Sequence, residues 1–278
     1  MNECLGKYFV KNGLLNEVAN FDNSFVAGPD YIYEVFRVID GVALFLEDHL
    51  ARLNSTCTLS GQDIVIDANS IALKVYELIS ANSLTEGNIK VVITESQKSI
   101  YDCLIYITNH SYPTPEQAEK GVVVKLQKGI RHNPNAKIMD IALRSVANKI
   151  KDKEVVYETL LVDGQGCITE GSRSNVFFIR DNKIITPPLS DVLPGITRKH
   201  VINACTRIGS EVIQEKVLAR SVIIMEAIFI TGTSRMVLPV SRIDDVEFDT
   251  GHPAIRKIKS EFLNYVINYL EANQFRKL

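Results

Sequence analysis

The chain has 278 residues, 46% of them apolar, and its 31 basic and 33 acidic side chains leave a formal net charge of −2. That length exceeds one ordinary core and suits two α/β domains, while the balanced charge argues against a nucleic-acid footprint or a membrane-surface patch. Five scattered cysteines (Cys4, Cys57, Cys103, Cys167 and Cys205), never in a CxxC spacing, point away from a disulfide framework or a metal site and fit a reducing cytoplasm.

Met1 to Lys7 lack the basic-then-apolar pattern of a secretion signal. The most apolar stretch, residues 222–230, is broken by Glu226 and too short to span a bilayer. Residues 31–39 and 42–46 are β-prone runs joined by Asp40-Gly41, a hairpin signal. Residues 47–53 read as a helix with Glu47 and Asp48 in its first turn, and 66–82 repeat apolar residues (Ile71, Val75, Leu78, Ile79) at helical spacing. Strands are expected over 89–94 and 104–108, so 1–112 reads as a small N-terminal α/β domain.

Pro113 and Pro115 disfavour helix and predict an extended linker over 113–120. Beyond it a strand is expected over 121–126 and a helix over 138–150. Strands at 155–162 and 168–170 flank the turn 163–166, and strands at 176–179 and 183–186 flank Arg180-Asp181-Asn182. A helix over 196–209, strands near 227–231 and 237–240, and a closing helix near 255–270 complete a domain over 121–278 rich in antiparallel sheet.

Glu170 opens the run Glu170-Gly171-Ser172-Arg173-Ser174-Asn175-Val176-Phe177, and Leu193-Pro194-Gly195-Ile196-Thr197-Arg198 follows about one hairpin later. Pro194-Gly195 ends a loop and Ile196-Thr197 begins a helix, where free N–H groups and the positive dipole end favour an anion. Thr197 adds a hydroxyl. Taken alone, such a fragment is more often a plain turn before a surface helix. Gly232-Thr233-Ser234, after a strand, has donors suited to a second phosphate or carboxylate contact. Pyridoxal phosphate requires a lysine for its aldehyde, a carboxylate against its pyridine nitrogen, and N–H donors for its phosphate.

These runs resemble the fold-type IV pyridoxal-phosphate enzymes, or class IV aminotransferases, a family that includes branched-chain and D-amino acid aminotransferases and aminodeoxychorismate lyase. Glu170, Ser172, Asn175, Val176 and Phe177 match its signature in register. Ile184-Ile185-Thr186 continues it, and Leu193, Gly195, Ile196 and Arg198 end it. The resemblance implies an α/β (α+β) fold of two domains with the cofactor in the cleft between them, and a homodimer. It implies an aminotransferase moving an amino group between an amino acid, a branched-chain one among the candidates, and a 2-oxo acid.

By the same resemblance Lys137, chosen over Lys149 and Lys151 for its spacing to Tyr157-Glu158-Thr159-Leu160, carries the cofactor. Glu170 faces the pyridine nitrogen and Leu193 packs on the ring. Arg52, in His49-x-x-Arg52-Leu53, joins Gly195, Ile196, Thr197 and Thr233 at the phosphate. His49 is read as structural. Tyr33, Lys90, Thr233 and Ser234 are the expected substrate contacts, and no metal is expected. The substrate end departs from the family pattern. Asn88-Ile89-Lys90 replaces Tyr-x-Arg, Glu95 follows Thr94 where D-amino acid enzymes have arginine, and Ala142 replaces a tyrosine. A lyase of the aminodeoxychorismate type and a non-catalytic cofactor- or partner-binding module therefore stand as other readings. The Arg131 loop is read as a surface loop or a substitute anion contact.

Overall fold

Asn12-Gly13 turns the chain back on itself between β1 (Cys4–Lys11) and β2 (Leu14–Glu17). Lys11 pairs with Leu14, and the two loop residues have φ 51° and 79°, the geometry for which Asn-Gly is suited. The computed structural model describes residues 3–26, 31–61, 64–97 and 100–276. The chain forms two units, Met1–Ser111 with Ala136–Met139 and Val266–Leu278, and Tyr112–Asn135 with Asp140–Tyr265. Lys137 and the end of the closing helix thus belong with the first unit.

The first unit continues with β3 (Ile32–Ile39), β4 (Val42–Ala43), α1 (Leu46–Leu59), α2 (Ala68–Ala81), β5 (Glu86–Gln97) and β6 (Ile100–Thr108). The expected strand over 42–46 stops at Ala43, because Phe45 takes a left-handed φ of 54° and α1 starts beside it. The six strands run β2-β1-β6-β5-β3-β4, antiparallel throughout. Alternation along the strands sorts their side chains by face. Phe36, Val38, Ile89, Val91 and Ile93 pack on Leu50, Leu53, Val75 and Leu78 of the helices. Tyr31, Tyr33, Val92, Leu104 and Tyr106 form a separate cluster with Phe9 and Met139.

The second unit holds α3 (Pro115–Lys120), β7 (Val122–Lys128), α4 (Ile141–Glu154), β8 (Glu158–Val162), β9 (Cys167–Gly171), β10 (Asn175–Arg180), β11 (Lys183–Thr186), α5 (Ile196–Arg207), β12 (Val212–Gln214), β13 (Val217–Leu218), β14 (Ala227–Gly232), β15 (Met236–Ile243) and β16 (Val246–Glu247). The closing helix α6 (Pro253–Asn273) contributes to both units. The ten strands of the second unit run β12-β11-β10-β14-β15-β7-β8-β9-β13, with β16 on β15. The hairpins β8–β9 and β10–β11 pair as expected. Three pairs, β7–β8, β15–β7 and β11–β12, are parallel, the first of them through the α4 crossover that a parallel pair requires.

Other expectations also fail locally. Residues 115–120 are helical, not extended: Thr114 accepts from Gln117 N and Gln117 reaches back, while Pro115 occupies the first turn, where its missing N–H costs nothing. The helix expected over 138–150 starts at Ile141, capped by Asp140. Residues before it lie extended beside β3, where Tyr33 N donates to Lys137 O and Met139 N to Tyr31 O. Among the described residues no helix is long and apolar enough to cross a membrane.

Candidate active site

In the first unit β3 delivers side chains to opposite faces. Glu34, fully buried, points to α1, where Arg52 Nε and Nη2 donate to its two oxygens at 2.7 and 2.8 Å. His49 Nδ1 lies 2.8 Å from Glu34 Oε2. Burial alone would raise the Glu34 carboxyl, but the Arg52 fork and the His49 contact hold it well below the usual range. Burial pushes His49 below the usual imidazole value, outweighing the Glu34 hydrogen bond that works to raise it. Arg52 is therefore held by a charge-assisted fork rather than lying on a solvated helix face.

Tyr33 points the other way, and two lysines flank its ring: Lys137 Nζ at 4.9 Å and Lys90 Nζ at 5.6 Å from the centroid. Lys137 is fixed by its backbone, which donates to Thr56 Oγ1 at 3.2 Å and accepts from Tyr33 N at 3.1 Å. Lys90, 4% exposed, donates to Tyr31 Oη and Glu3 Oε1. Three expected residues, Tyr33, Lys90 and Lys137, thus share one cluster. Glu95 is exposed, as is Ala142 at the start of α4, and Lys149 sits in the exposed part of that helix.

In the second unit Glu170 lies near the end of β9 with 3% exposure. It accepts from Leu193 N at 3.1 Å and from Arg131 Nε at 2.9 Å. The Leu193 contact joins the carboxylate run to the helix-start run. Arg131 is accordingly not a loose surface residue. Asn175 Nδ2 donates to Leu193 O at 3.0 Å, and a Cβ on Gly195 would land on Asn175 Oδ1. Only glycine lets the loop pass this close. No side chain caps α5 at Gly195, which leaves the first-turn N–H groups of Ile196 and Thr197 available to an anion. Arg198, at the end of the signature, turns away to Pro187 O and Gln214, and burial lowers its pKa to about 10.

Thr233 and Ser234 form the turn between β14 and β15. That turn abuts the one after Glu170, since Arg235 Nη1 donates to Arg173 O at 3.2 Å. The family described as Amino-transferase class IV matches residues 31–243, most of the chain. The chain belongs to the class IV aminotransferases. It is an enzyme, a transferase. A putative branched-chain-amino-acid aminotransferase of Methanocaldococcus jannaschii is 28% identical over 244 residues, covering 82% of this chain and 83% of that protein. A D-alanine aminotransferase of Bacillus licheniformis is 27% identical over 234 residues, covering 81% and 82%. Among solved structures, a branched-chain amino acid aminotransferase from Escherichia coli superposes with a TM-score of 0.82, at 20% identity and 94% coverage of both chains. That likeness shows the expected α/β fold.

Sequence reading of this aminotransferase misses its charge pairings. Glu34 with Arg52, Lys90 with Glu3 and Arg131 with Glu170 are described above. A further one joins Arg235 to fully buried Glu158 at 3.0 Å; that carboxylate also accepts from Ser172 Oγ at 2.6 Å and Ser174 Oγ at 3.2 Å. Burial would raise Glu158, but Arg235 and Ser172 outweigh it and lower its pKa. Ser172 of the signature therefore braces a strand carboxylate. Of this last pair, Glu158 carries a sequence signal, in its Tyr-Glu-Thr-Leu run.

Proposed function

We propose that this aminotransferase uses pyridoxal phosphate held by Lys137, Arg52, Glu170, Leu193, Gly195, Ile196, Thr197 and Thr233. Class IV aminotransferases as a family depend on that cofactor. The residues fit it chemically: α5 has no side-chain cap, a Cβ would fill the close approach at Gly195, and Glu170 is a buried carboxylate. The hydrogen bond from Leu193 N to Glu170 carries the reading, because it couples the nitrogen partner to the phosphate loop.

Bound pyridoxal phosphate supplies an aldehyde that links to amines and a ring that withdraws electrons from the substrate Cα–H bond. Lys137 would hold the cofactor through Nζ, and its amine, when free, would move the proton at substrate Cα. Glu170 holds a proton on the pyridine nitrogen. The Ile196 and Thr197 N–H groups, with Arg52 and the Thr233 hydroxyl, bind the phosphate. Tyr33, Lys90, Thr233 and Ser234 contact the amino acid and the 2-oxo acid.

A branched-chain amino acid is the donor we name, on the likeness to the Methanocaldococcus jannaschii protein. We place the enzyme in the cytoplasm as a homodimer; five cysteines, none of them in a disulfide, support the compartment, and the family resemblance supports the dimer. The test is a visible spectrum of protein with pyridoxal phosphate, borohydride fixation, and a screen of L-leucine, L-valine and D-alanine against 2-oxoglutarate and pyruvate. Cofactor fixed on Lys137 and transamination lost in Lys137→Ala are expected. Protein that takes up no cofactor, or transamination surviving in Lys137→Ala, overturns the reading. Pyruvate released from 4-amino-4-deoxychorismate without transamination would instead identify a lyase.

A further inference from the structure

Lys90 is an ammonium on a sheet face made mostly of aromatic and aliphatic side chains. It lies over the rings of Tyr31, Tyr33 and Tyr106 at 4.8, 5.6 and 5.7 Å. A charge buried to this degree is stable only beside an opposite one. Glu3, just ahead of β1, supplies it: Oε1 accepts from Lys90 Nζ and from Tyr106 Oη, the latter at 3.0 Å. The Glu3 side chain remains 33% exposed while that of Lys90 is 6% exposed. The carboxylate is therefore the member of the pair that solvent reaches.

Tyr33 ties this pair to the reactive lysine. With Lys137 Nζ 4.9 Å and Lys90 Nζ 5.6 Å from the same ring centroid, the two nitrogens are at most about 10.5 Å apart. In a five-carbon dicarboxylic amino acid the side-chain carboxyl carbon lies roughly 4 Å from Cα, on bonds near 1.5 Å. With Cα about 3 Å from Lys137 Nζ, the carboxylate oxygen about 1.2 Å beyond its carbon and a hydrogen bond of about 2.8 Å to follow, an extended side-chain acid spans the separation to Lys90.

We propose that Glu3 is a specificity residue: it occupies Lys90 as an internal carboxylate and turns the pocket against substrates that carry a second acid. The inference rests on the reading of Lys137 as the reactive amine. A substrate acid gains Lys90 only by displacing Glu3 from both Lys90 and Tyr106. An aliphatic side chain meets an already neutralised pair walled by tyrosine rings and displaces nothing. Specificity here comes from the competitor that the chain itself supplies.

The experiment compares the wild-type holoenzyme with Glu3→Gln and with Glu3→Gln/Lys90→Met. Calorimetric titrations use glutarate against pentanoate, and rates use 2-oxoglutarate against 4-methyl-2-oxopentanoate. Glu3→Gln keeps size and polarity but leaves the ammonium without a carboxylate. Its preference for glutarate over pentanoate should rise roughly ten-fold above wild type, and the kcat/KM ratio should move the same way. The gain should vanish in the double variant, because the neutral methionine has nothing to offer an acid. Glu3→Ala repeats the gain independently should the double variant not fold. An unchanged preference in both Glu3 variants, or a gain that survives in the double variant, overturns the proposal. A calorimetric gain without transamination in any of the proteins leaves Glu3 and Lys90 as assigned and removes the reading of Lys137.

Discussion

Arg131 Nε lies 2.9 Å from Glu170 Oε1, with the two side chains 11% and 3% exposed. A guanidinium already sits on the carboxylate that the cofactor nitrogen is proposed to use. The contact fixes the position of Glu170, because a buried carboxylate paired with a guanidinium cannot swing away without leaving a charge unpaired.

Arg131→Met tests that relationship, because methionine keeps a flexible stem and removes the charge. The cofactor-free variant should lose about 3 kcal/mol of stability, the usual cost of breaking a buried pair. A bound pyridinium would restore an opposite charge. Saturating pyridoxal phosphate should therefore raise the melting temperature more in the variant than in the wild type. Equal gains in the two proteins would separate Arg131 from the cofactor carboxylate.

Gly195→Ala should be costly, although Gly195 has an ordinary φ of −64°. The added Cβ meets Asn175 Oδ1, whose amide holds Leu193 O. About 2 kcal/mol of destabilisation is expected from overpacking, together with weaker cofactor retention on dialysis. Gly164→Ala is the control, since a Cβ there meets nothing within 4 Å. Matching losses in the two variants would refute the packing argument.

Arg52→Lys keeps the charge and removes the fork. One ammonium cannot satisfy both Glu34 oxygens as Nε and Nη2 do. Urea denaturation should show a loss of about 1–2 kcal/mol, and titration with pyridoxal phosphate should show a lower affinity than wild type. A loss of stability with unchanged affinity would make Arg52 a residue of the Glu34 pair alone.

Much of the second unit is legible in the sequence because its information is local. Lys183–Thr186 is a strand with the bounds its sequence suggests, and Glu170, Asn175 and Gly195 lie within one short stretch whose spacing the signature fixes. The first unit conceals more. The β1–β2 hairpin carries its marker in Asn12-Gly13, but the strands around it mix charged and apolar residues without a clear alternation. Pro115 points to extended chain, whereas a first-turn proline is compatible with the helix that Thr114 caps. Spacing singles out Lys137, but its place beside Tyr33 depends on residues about a hundred positions apart pairing in space. The Glu34–Arg52 and Lys90–Glu3 pairs likewise join separate elements, which no periodicity within a single element reveals.

The buried Glu34–His49–Arg52 group should make the protein sensitive to acid in two stages. His49 is lowered from 6.5 by burial, despite the hydrogen bond to Glu34 that works to raise it. The unfolded chain therefore takes up a proton near 6.5 that the folded chain refuses. This contribution is fully present above about pH 6.5 and is lost as pH falls through the folded value. Glu34 is lowered from 4.5, with Arg52 overcoming the penalty of burial. Its contribution is present above about pH 4.5 and is lost as pH falls further. The two windows separate experimentally. His49→Gln can still donate one neutral hydrogen bond but cannot titrate, so its unfolding free energy should be flatter than wild type as pH falls just below about 6.5. The loss at lower pH should remain, because Glu34 and Arg52 are untouched. Identical slopes in the upper window for wild type and His49→Gln would show that some other group sets the acid sensitivity.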